Sequence, residues 1–208
     1  GGEIAGTVLA SGAGVAGLAP GDRVIARTAW GGLAERVAVP AEKCAPMPAG
    51  MDFAEGSALL FTYGTSYHAL VQRGRIAAGD RVLVLGAAGG TGIAAIELAK
   101  AFGATVCAAV SSEEKASFAR DCGADETIVY PPGPLDKDAG RALGAAFKEF
   151  GGDHGIDIVY DPVGGDYAEP ALRSMAWKGR FLVVGFTAGI PRLPFILPLL
   201  KGCDVGGV

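Results

Sequence analysis

The feature that most constrains this chain is a glycine-rich turn between an apolar run and a segment with helical spacing. Residues 82–85 are apolar, small residues follow from Gly86 to Gly92, and apolar residues recur at helical intervals over 93–100. This order of strand, turn and helix is typical of a nucleotide-binding unit, because glycines let the backbone approach a pyrophosphate and a helix N-terminus presents free N–H groups to it. The turn therefore predicts a bound nucleotide.

The turn matches the GxGxxG fingerprint only in part. Gly89, Gly90 and Gly92 occupy its later positions, and Ala87 stands where its first glycine would be. Such a fingerprint is weak by itself, and the alternative is an ordinary tight turn whose glycines serve only packing. The strand before the turn and the helix after it favour the nucleotide interpretation.

Composition argues against two classes of partner. The chain of 208 residues has a net charge of −4, which gives no electrostatic reason to expect nucleic acid or an anionic membrane. No apolar run reaches the roughly 18 residues that a membrane-spanning helix needs. The four cysteines are scattered without a CxxC pair, as expected of reduced thiols in a cytoplasmic protein.

The first 50 residues have the composition of β structure. We predict strands near residues 4–8, 23–26 and 33–39. Asp52 and Glu55 then have capping-box spacing, so we expect helical structure from there to Leu70, divided into two helices at Gly64.

From residue 81 onward, strand and helix patterns alternate. Strands are predicted near 81–86, 104–110, 126–130, 156–161 and 179–185, and helices near 90–102, 112–121, 136–149 and 166–176. Several of the strands are nearly continuous apolar runs, which is typical of parallel strands covered on both faces. We therefore predict an α/β fold, a doubly wound parallel sheet preceded by a β-rich piece. Prolines interrupt the apolar stretch 190–200, so no continuous helix is expected across it.

The end of the second predicted strand bears on the choice of nucleotide. NAD-binding sites of this type carry a carboxylate there, and this chain has Ser111 and Ser112 instead. Their hydroxyls and the ammonium of Lys115 would suit a 2′-phosphate, whereas Glu113 and Glu114 count against it. The alternative is a plain helix start with an N-cap and an acidic first turn, and both can hold together. We therefore prefer NADPH over NADH.

The combination of motifs resembles one known family. The segments that carry the likeness are 2–8, 20–24, 86–100, 103–104, 123–126, 161–165 and 179–186. Together they resemble the zinc-independent NADPH:quinone oxidoreductase (zeta-crystallin-like) branch of the medium-chain dehydrogenase/reductase superfamily. The resemblance implies part of a β-rich, GroES-like catalytic domain over 1–56. It also implies a Rossmann domain over 57–208 that is truncated at its C-terminus, with its final strand following Val208.

The resemblance also argues against a metal. Zinc-dependent relatives carry a histidine immediately before the glutamate matched by Glu3, and here that residue is Gly2. Tetrahedral zinc needs three or four convergent ligands, and the only histidines, His68 and His154, lie in separate segments. We therefore expect no metal site.

By the same resemblance, residues 89–92 would hold the pyrophosphate. Ser111, Lys115 and Tyr130 match positions near the 2′-phosphate, Thr65 matches a hydroxyl near the phosphates and nicotinamide, and residues after the fourth and fifth strands would line the cofactor's edges. The expected cofactor contacts are Thr65, Ala88, Gly89, Gly90, Thr91, Gly92, Ser111, Ser112, Lys115, Tyr130, Val163, Gly185, Phe186 and Thr187. No catalytic residue is assigned; the weak candidates are Tyr63, Thr65 and Tyr67.

The function implied is an NADPH-dependent, metal-independent oxidoreductase that transfers hydride to a quinone or a conjugated enone. The alternatives are a reductase of enoyl thioesters, of the acryloyl- or crotonyl-CoA type, and an NADPH-binding protein with a structural or regulatory role. A homodimer through an edge of the cofactor-domain sheet is expected.

Overall fold

The computed structural model describes all 208 residues and divides the chain into two compact units, Gly1–Gly64 and Thr65–Val208. The boundary near residue 56, expected from sequence, remains a prediction. None of the helices combines the length and the apolar character that crossing a membrane requires.

The first unit is built on a three-stranded antiparallel sheet. Its strands, in spatial order, are β1 (Glu3–Thr7), β2 (Arg23–Arg27) and β3 (Cys44–Pro46). The short helix α1 (Phe53–Gly56) follows, and its capping box is confirmed. The N–H of Glu55 donates to Asp52 Oδ1 at 2.8 Å, and the N–H of Asp52 donates to Glu55 Oε2 at 3.1 Å.

Two predictions for the first 70 residues are wrong. Residues 33–39 form no strand; Leu33 is 92% exposed, so the alternation of residue types there reflects no buried face. Gly64 does not divide two helices, because α2 (Leu59–Tyr67) runs through it and continues as a wider π-helical turn, His68–Arg73. A single glycine inside a helix costs only about 1 kcal/mol, which the rest of the helix outweighs.

The second unit is a six-stranded parallel sheet with helices between the strands. The strands are β4 (Arg81–Leu85), β5 (Thr105–Val110), β6 (Glu126–Val129), β7 (Ile156–Asp161), β8 (Met175–Val183) and β9 (Asp204–Gly207). The helices are α3 (Gly90–Ala101), α4 (Glu113–Asp121), α5 (Lys137–Gly151), α6 (Ala168–Arg173) and α7 (Ile196–Lys201). The predicted α/β fold is confirmed.

The spatial order of the strands is β6-β5-β4-β7-β8-β9, the doubly wound arrangement in which the direction of winding reverses between β4 and β7. Alternate residues of the strands enter two separate cores. Leu83, Leu85 and Phe181 belong to one, and Val82 and Val84 belong to the other. Because both faces are covered, the middle parts of β4, β5 and β7 are largely apolar, as their sequences indicated.

Two details of this sheet differ from expectation. The fifth strand was predicted to begin near residue 179, but β8 begins at Met175 and passes through Lys178, whose φ is +63°. A sixth strand already lies within the chain, because β9 pairs in parallel with β8. The further strand expected after Val208 stays a prediction. The proline-interrupted stretch holds only the short helix α7, as predicted.

A half-buried ion pair stabilises the end of the sheet opposite to the strands' carboxyl ends. Arg180 Nη2 lies 2.6 Å from Asp80 Oδ2, both side chains are only 15% exposed, and Arg180 Nε donates to the Gly74 carbonyl at 2.7 Å. We expect Arg180→Met to lower the free energy of unfolding by about 2 kcal/mol, because it leaves the Asp80 carboxylate without its cation. Urea denaturation measures this change.

The matched control is Arg75→Met. Arg75 pairs with Asp204 at 3.3 Å, and these side chains are 69% and 75% exposed. Solvent screens such a pair, so the loss should stay below about 0.5 kcal/mol. Equal losses for the two variants would contradict the assigned role of Arg180.

Candidate functional site

The glycine turn leaves β4 through a backbone conformation that requires its glycines. Gly86 has φ +58°, and a Cβ added to it would lie 2.7 Å from Val163 Cγ2. A Cβ on Gly92, in the first turn of α3, would lie 2.6 Å from the Ala87 carbonyl oxygen and 2.7 Å from that of Gly86. The start of α3 therefore lies directly against the backbone of the turn.

The N-terminus of α3 is open to a ligand. Its N-cap is Gly89, which has no side chain to accept from the first-turn N–H groups. Gly89 and Gly90 are exposed, and Thr91 is half-buried. Uncapped N–H groups at the positive end of a helix dipole form a site for an anion such as a phosphate.

A network of buried hydroxyl groups holds the first turn of α3 in place. The Ser66 hydroxyl, which is completely buried, lies 2.9 Å from the Thr91 carbonyl oxygen, to which it donates, and 2.9 Å from the Tyr160 hydroxyl. Burial raises the pKa of Tyr160, while hydrogen bonds from Ser66 and Thr91 act in the opposite direction. The network therefore joins the last turn of α2, strand β7 and the first turn of α3.

The predicted 2′-phosphate residues meet at the end of β5. Lys115 Nζ donates to Ser111 Oγ at 2.9 Å, and Ser112 caps α4 by accepting from the Lys115 N–H at 3.3 Å. Lys115 is exposed, and both serines are half-buried. The cation and the two hydroxyls therefore form one group, and the capping role coexists with it.

Tyr130 is placed differently from Lys115. Its side chain is buried, with its ring centroid 4.6 Å from that of Tyr167. Burial raises the pKa of Tyr130 to about 12, and a backbone hydrogen bond at Gly86 acts in the opposite direction. The phenol therefore lies near Gly86 of the glycine turn and has no hydrogen bond to the serine–lysine group, and its contact with the 2′-phosphate stays a prediction.

A buried carboxylate organises the loop after β7. Asp161 is 1% exposed, and its Oδ1 accepts from the N–H groups of Val163 and Gly164, both at 2.8 Å. Burial outweighs these two bonds and raises the pKa of Asp161 to about 6. Its backbone carbonyl accepts from Val184 at 2.8 Å and from Gly185 at 3.2 Å, so Asp161 joins the loops that follow β7 and β8.

Further bonds hold these two loops together. The Pro162 carbonyl accepts from the N–H and the hydroxyl of Thr187, both at 3.3 Å, and the Val163 carbonyl accepts from Ala188 at 2.8 Å. Phe186 remains 49% exposed between them. The predicted contacts Val163 and Gly185–Thr187 therefore lie on one pair of connected loops.

The structure brings most of the predicted cofactor contacts to one edge of the sheet, where the strands have their carboxyl ends. Residues 88–92 follow β4, 111–115 follow β5, Tyr130 follows β6, Val163 follows β7 and 185–187 follow β8. Ligands of open α/β sheets bind at this edge, where the winding reverses.

The weak catalytic candidates lie on α2. Thr65 and Tyr63 are half-buried. The ring of Tyr67 is 6.5 Å from that of Phe102, which follows the far end of α3, so Tyr67 points away from the glycine turn. No group of three or more His, Cys, Asp or Glu side chains is arranged to hold a metal ion, and the absence of a metal remains a prediction.

Sequence reasoning missed three side chains that build the site, Asp161, Ser66 and Tyr160. The aspartate gave a signal, because it ends an apolar strand and precedes Pro162 and two glycines. The partnership of Ser66 with Tyr160 gave none, since 94 residues separate them.

The comparisons with known proteins agree with this architecture. Residues 90–208 match the family described as zinc-binding dehydrogenase, and residues 1–49 match the alcohol dehydrogenase GroES-like domain. The chain is 37% identical to quinone oxidoreductase-like protein 2 of Bos taurus, over 99% of this chain and 57% of the bovine protein. It thus spans little more than half the length of that relative.

Solved structures give the same relationship. Escherichia coli quinone oxidoreductase complexed with NADPH is 30% identical, with a TM-score of 0.86 over 99% of this chain and 62% of that chain. CurK enoyl reductase is 26% identical, with a TM-score of 0.81 over 99% of this chain and 59% of that chain.

The first family match covers more than half of the 208 residues, and the fold agrees with it over both units. The chain therefore belongs to the zinc-binding dehydrogenase family of the medium-chain dehydrogenase/reductase superfamily, in the branch that contains the quinone oxidoreductases.

Proposed function

We propose that this chain is the cofactor-binding part of an NADPH-dependent oxidoreductase. The observation that carries the proposal is the uncapped N-terminus of α3, held against the glycine turn at the point where the sheet reverses its winding. The NADPH in the related E. coli structure supports the same cofactor here.

In this proposal the cofactor crosses the carboxyl edge of the sheet. The N–H groups of residues 89–92 hold the pyrophosphate, with Ala88 beside them, and Ser111, Ser112 and Lys115 bind the 2′-phosphate. Thr65, Val163 and residues 185–187 line the nicotinamide side. Tyr130 is buried near Gly86, and we keep it as a candidate contact on the adenosine side of the site.

For hydride transfer, the main task of the protein is to position the cofactor against the acceptor. Bound NADPH supplies the hydride, and the chain holds the dinucleotide and excludes water from the reacting edge. No side chain of these residues is assigned as an acid or base, and we propose a reaction without a metal.

For the acceptor we propose a quinone or a conjugated enone. The names of the relatives support the quinone, and CurK enoyl reductase supports the alternative, a reductase of enoyl thioesters. These acceptors share an alkene or ring conjugated to a carbonyl, so the same hydride geometry would serve each of them.

The test measures oxidation of NADPH by the full-length protein at 340 nm with a naphthoquinone, an enone and crotonyl-CoA. We expect the quinone or the enone to give the highest kcat/KM. Preference for crotonyl-CoA would select the thioester alternative. Tight NADPH binding without turnover on any acceptor would select a structural or regulatory protein.

We also propose a homodimer through the sheet edge formed by β9. Strand β9 has a neighbour on one side only, and Leu199 and Leu200 of the adjacent α7 are 76% and 65% exposed. A strand with one free edge beside exposed leucines suits pairing with a second copy. The mass in solution tests this proposal.

A cytoplasmic location remains part of the proposal. All four cysteines are free, with Cys107 and Cys203 buried and the other two half-buried. Burial raises the pKa of each thiol, which suits unreactive thiols in a reducing compartment.

Gly92→Ala tests the role of the turn. The added methyl group meets backbone atoms that cannot rotate away, so α3 must shift. We expect a loss of about 2 kcal/mol in stability and at least about a tenfold weaker binding of NADPH. Urea denaturation and fluorescence titration measure the two effects.

Gly140→Ala is the matched control, since Gly140 also lies in a helix but a Cβ there meets nothing within 4 Å. It should leave NADPH binding unchanged and raise stability by up to about 1 kcal/mol. Normal NADPH affinity in Gly92→Ala would contradict the proposed pyrophosphate site.

Lys115→Glu tests the 2′-phosphate site. It replaces the cation beside Ser111 with an anion, so the preference for NADPH over NADH should fall at least about tenfold, mostly through weaker NADPH binding. Lys137→Glu, at the start of α5 and outside the proposed site, is the charge-matched control and should leave the preference unchanged. An unchanged ratio of the two Kd values in Lys115→Glu would refute this assignment.

A further inference from the structure

Asp161 has one satisfied and one unsatisfied oxygen. Its Oδ1 accepts two backbone N–H groups of its own loop, and its Oδ2 makes no hydrogen bond in the structure. An ionised carboxylate accepts at both oxygens, so half of this buried group's capacity is unused. Unused polar capacity in a buried position is costly unless something binds there.

The free oxygen is not sealed inside the protein. No completely buried side-chain oxygen or nitrogen lacks a hydrogen-bond partner in this structure. Since Oδ2 lacks one, the small exposed fraction of Asp161, 1% of the residue, includes this atom. Oδ2 therefore keeps a small solvent-accessible area.

The position of Asp161 indicates which ligand groups can reach Oδ2. It is the last residue of β7, which neighbours β4 where the winding of the sheet reverses. Val163, which Asp161 holds, comes within 2.7 Å of where a Cβ on Gly86 would be. The carboxylate therefore lies beside the glycine turn, on the β7 and β8 side of it.

That side is opposite to the proposed 2′-phosphate group. Ser111 and Lys115 follow β5, which neighbours β4 on its other edge. A dinucleotide whose pyrophosphate lies at the turn and whose adenosine extends toward β5 must extend its nicotinamide half toward β7 and β8. The donors of that half are its ribose hydroxyls and its carboxamide N–H.

We propose that Asp161 is a cofactor-binding residue whose Oδ2 accepts a hydrogen bond from a hydroxyl or carboxamide N–H of the nicotinamide half, while Oδ1 holds the loop. This proposal rests on the proposed function, since it requires NADPH at the turn. Asp161 thereby orients the reactive ring relative to the connected loops after β7 and β8.

Asp161→Asn separates the two oxygens. The asparagine oxygen can still accept from Val163 and Gly164, but its NH₂ group replaces Oδ2 and faces the ligand's donor. We expect the Kd for NADP⁺ at pH 8 to rise about tenfold, because a hydrogen bond to a charged acceptor is lost. The Kd for adenosine 2′,5′-bisphosphate, which lacks the nicotinamide half, should change less than about twofold.

The control is Asp166→Asn, the same change on an exposed aspartate five residues further along, whose Oδ2 accepts from the Leu135 N–H. It should change neither Kd. A NADP⁺ Kd unchanged in Asp161→Asn, or an equal loss for both ligands, would overturn the proposal. Failure of the wild type to bind either ligand would instead refute the proposed function.

A NADP⁺ analogue with an acetyl group in place of the carboxamide identifies the donor. If the carboxamide donates, Asp161→Asn should bind this analogue as well as the wild type does. If a ribose hydroxyl donates, the tenfold difference should persist. Either result supports the proposal, because both require Oδ2 as the acceptor.

The pH dependence provides a second readout. Burial raises the pKa of Asp161 to about 6, and the titratable group that faces it, Tyr130, has its pKa raised to about 12 and stays neutral. Below pH 6 the wild-type carboxyl gains a proton and resembles the amide. The ratio of the two NADP⁺ Kd values should therefore shrink from about ten at pH 8 toward one at pH 5, whereas a constant ratio would contradict the proposal.

Stability provides the folding control. A carboxyl whose pKa is raised in the folded state loses stabilisation as the pH rises from its unfolded pKa through its folded pKa. The unfolding midpoint of Asp161→Asn should therefore rise relative to that of the wild type between about pH 4 and pH 7. A midpoint that instead falls relative to the wild type would show that Oδ2 is needed for folding, which would also overturn the proposal.

Discussion

The contact between the first turn of α3 and the backbone that leaves β4 is the constraint on which the rest of the site depends. Gly92 lies so close to the carbonyls of Ala87 and Gly86 that no side chain fits between them. This closeness brings the uncapped N-terminus of α3 directly above the end of β4. The buried Ser66 hydroxyl then fixes that helix end from the other side. These contacts fix the positions of the backbone donors at the helix N-terminus, which is a site suited to a phosphate.

The contact lies where the winding of the sheet reverses, between β4 and β7, which is where open α/β sheets bind their ligands. The chain leaves β4 toward one face of the sheet and leaves β7 toward the other. The loops that follow these two strands therefore diverge, and a crevice lies between them. On the β7 side of this crevice, the Asp161 carboxylate accepts hydrogen bonds from the loop after β7. Its backbone carbonyl accepts hydrogen bonds from the loop after β8, so Asp161 holds both loops in place. Residues distant in sequence therefore reach one edge because parallel strands end there together.

The sequence predicted the second unit far better than the first, and the reason is physical. Buried parallel strands must be apolar on both faces, so β4, β5 and β7 are visible as apolar runs, and the glycine turn identifies the unit. Apolar and polar residues alternate over 33–39 as they do in a strand, but this segment has no neighbouring strand to pair with. The local sequence pattern does not show whether such a neighbour exists. Gly64 resembled a helix break because the low helix propensity of glycine is visible in the sequence. The packing of the helix, which outweighs that penalty, is not visible there. The sequence places Asp161 only within the segment 161–165, because its burial and its bond to the Val163 N–H arise from the loop geometry.

The two ends of the proposed cofactor site recognise their halves by different physics. On the β5 side, Lys115 is exposed, so its attraction to a phosphate is screened by salt. On the β7 side, Asp161 is buried and its ionised form is disfavoured by burial, so the carboxylate is retained against its own desolvation. An unpaired acceptor in such a position is costly, and the proposed hydrogen bond from the cofactor would remove that cost. Under the two proposals, cofactor choice therefore depends on an exposed cation, whereas orientation of the reactive half depends on a buried anion.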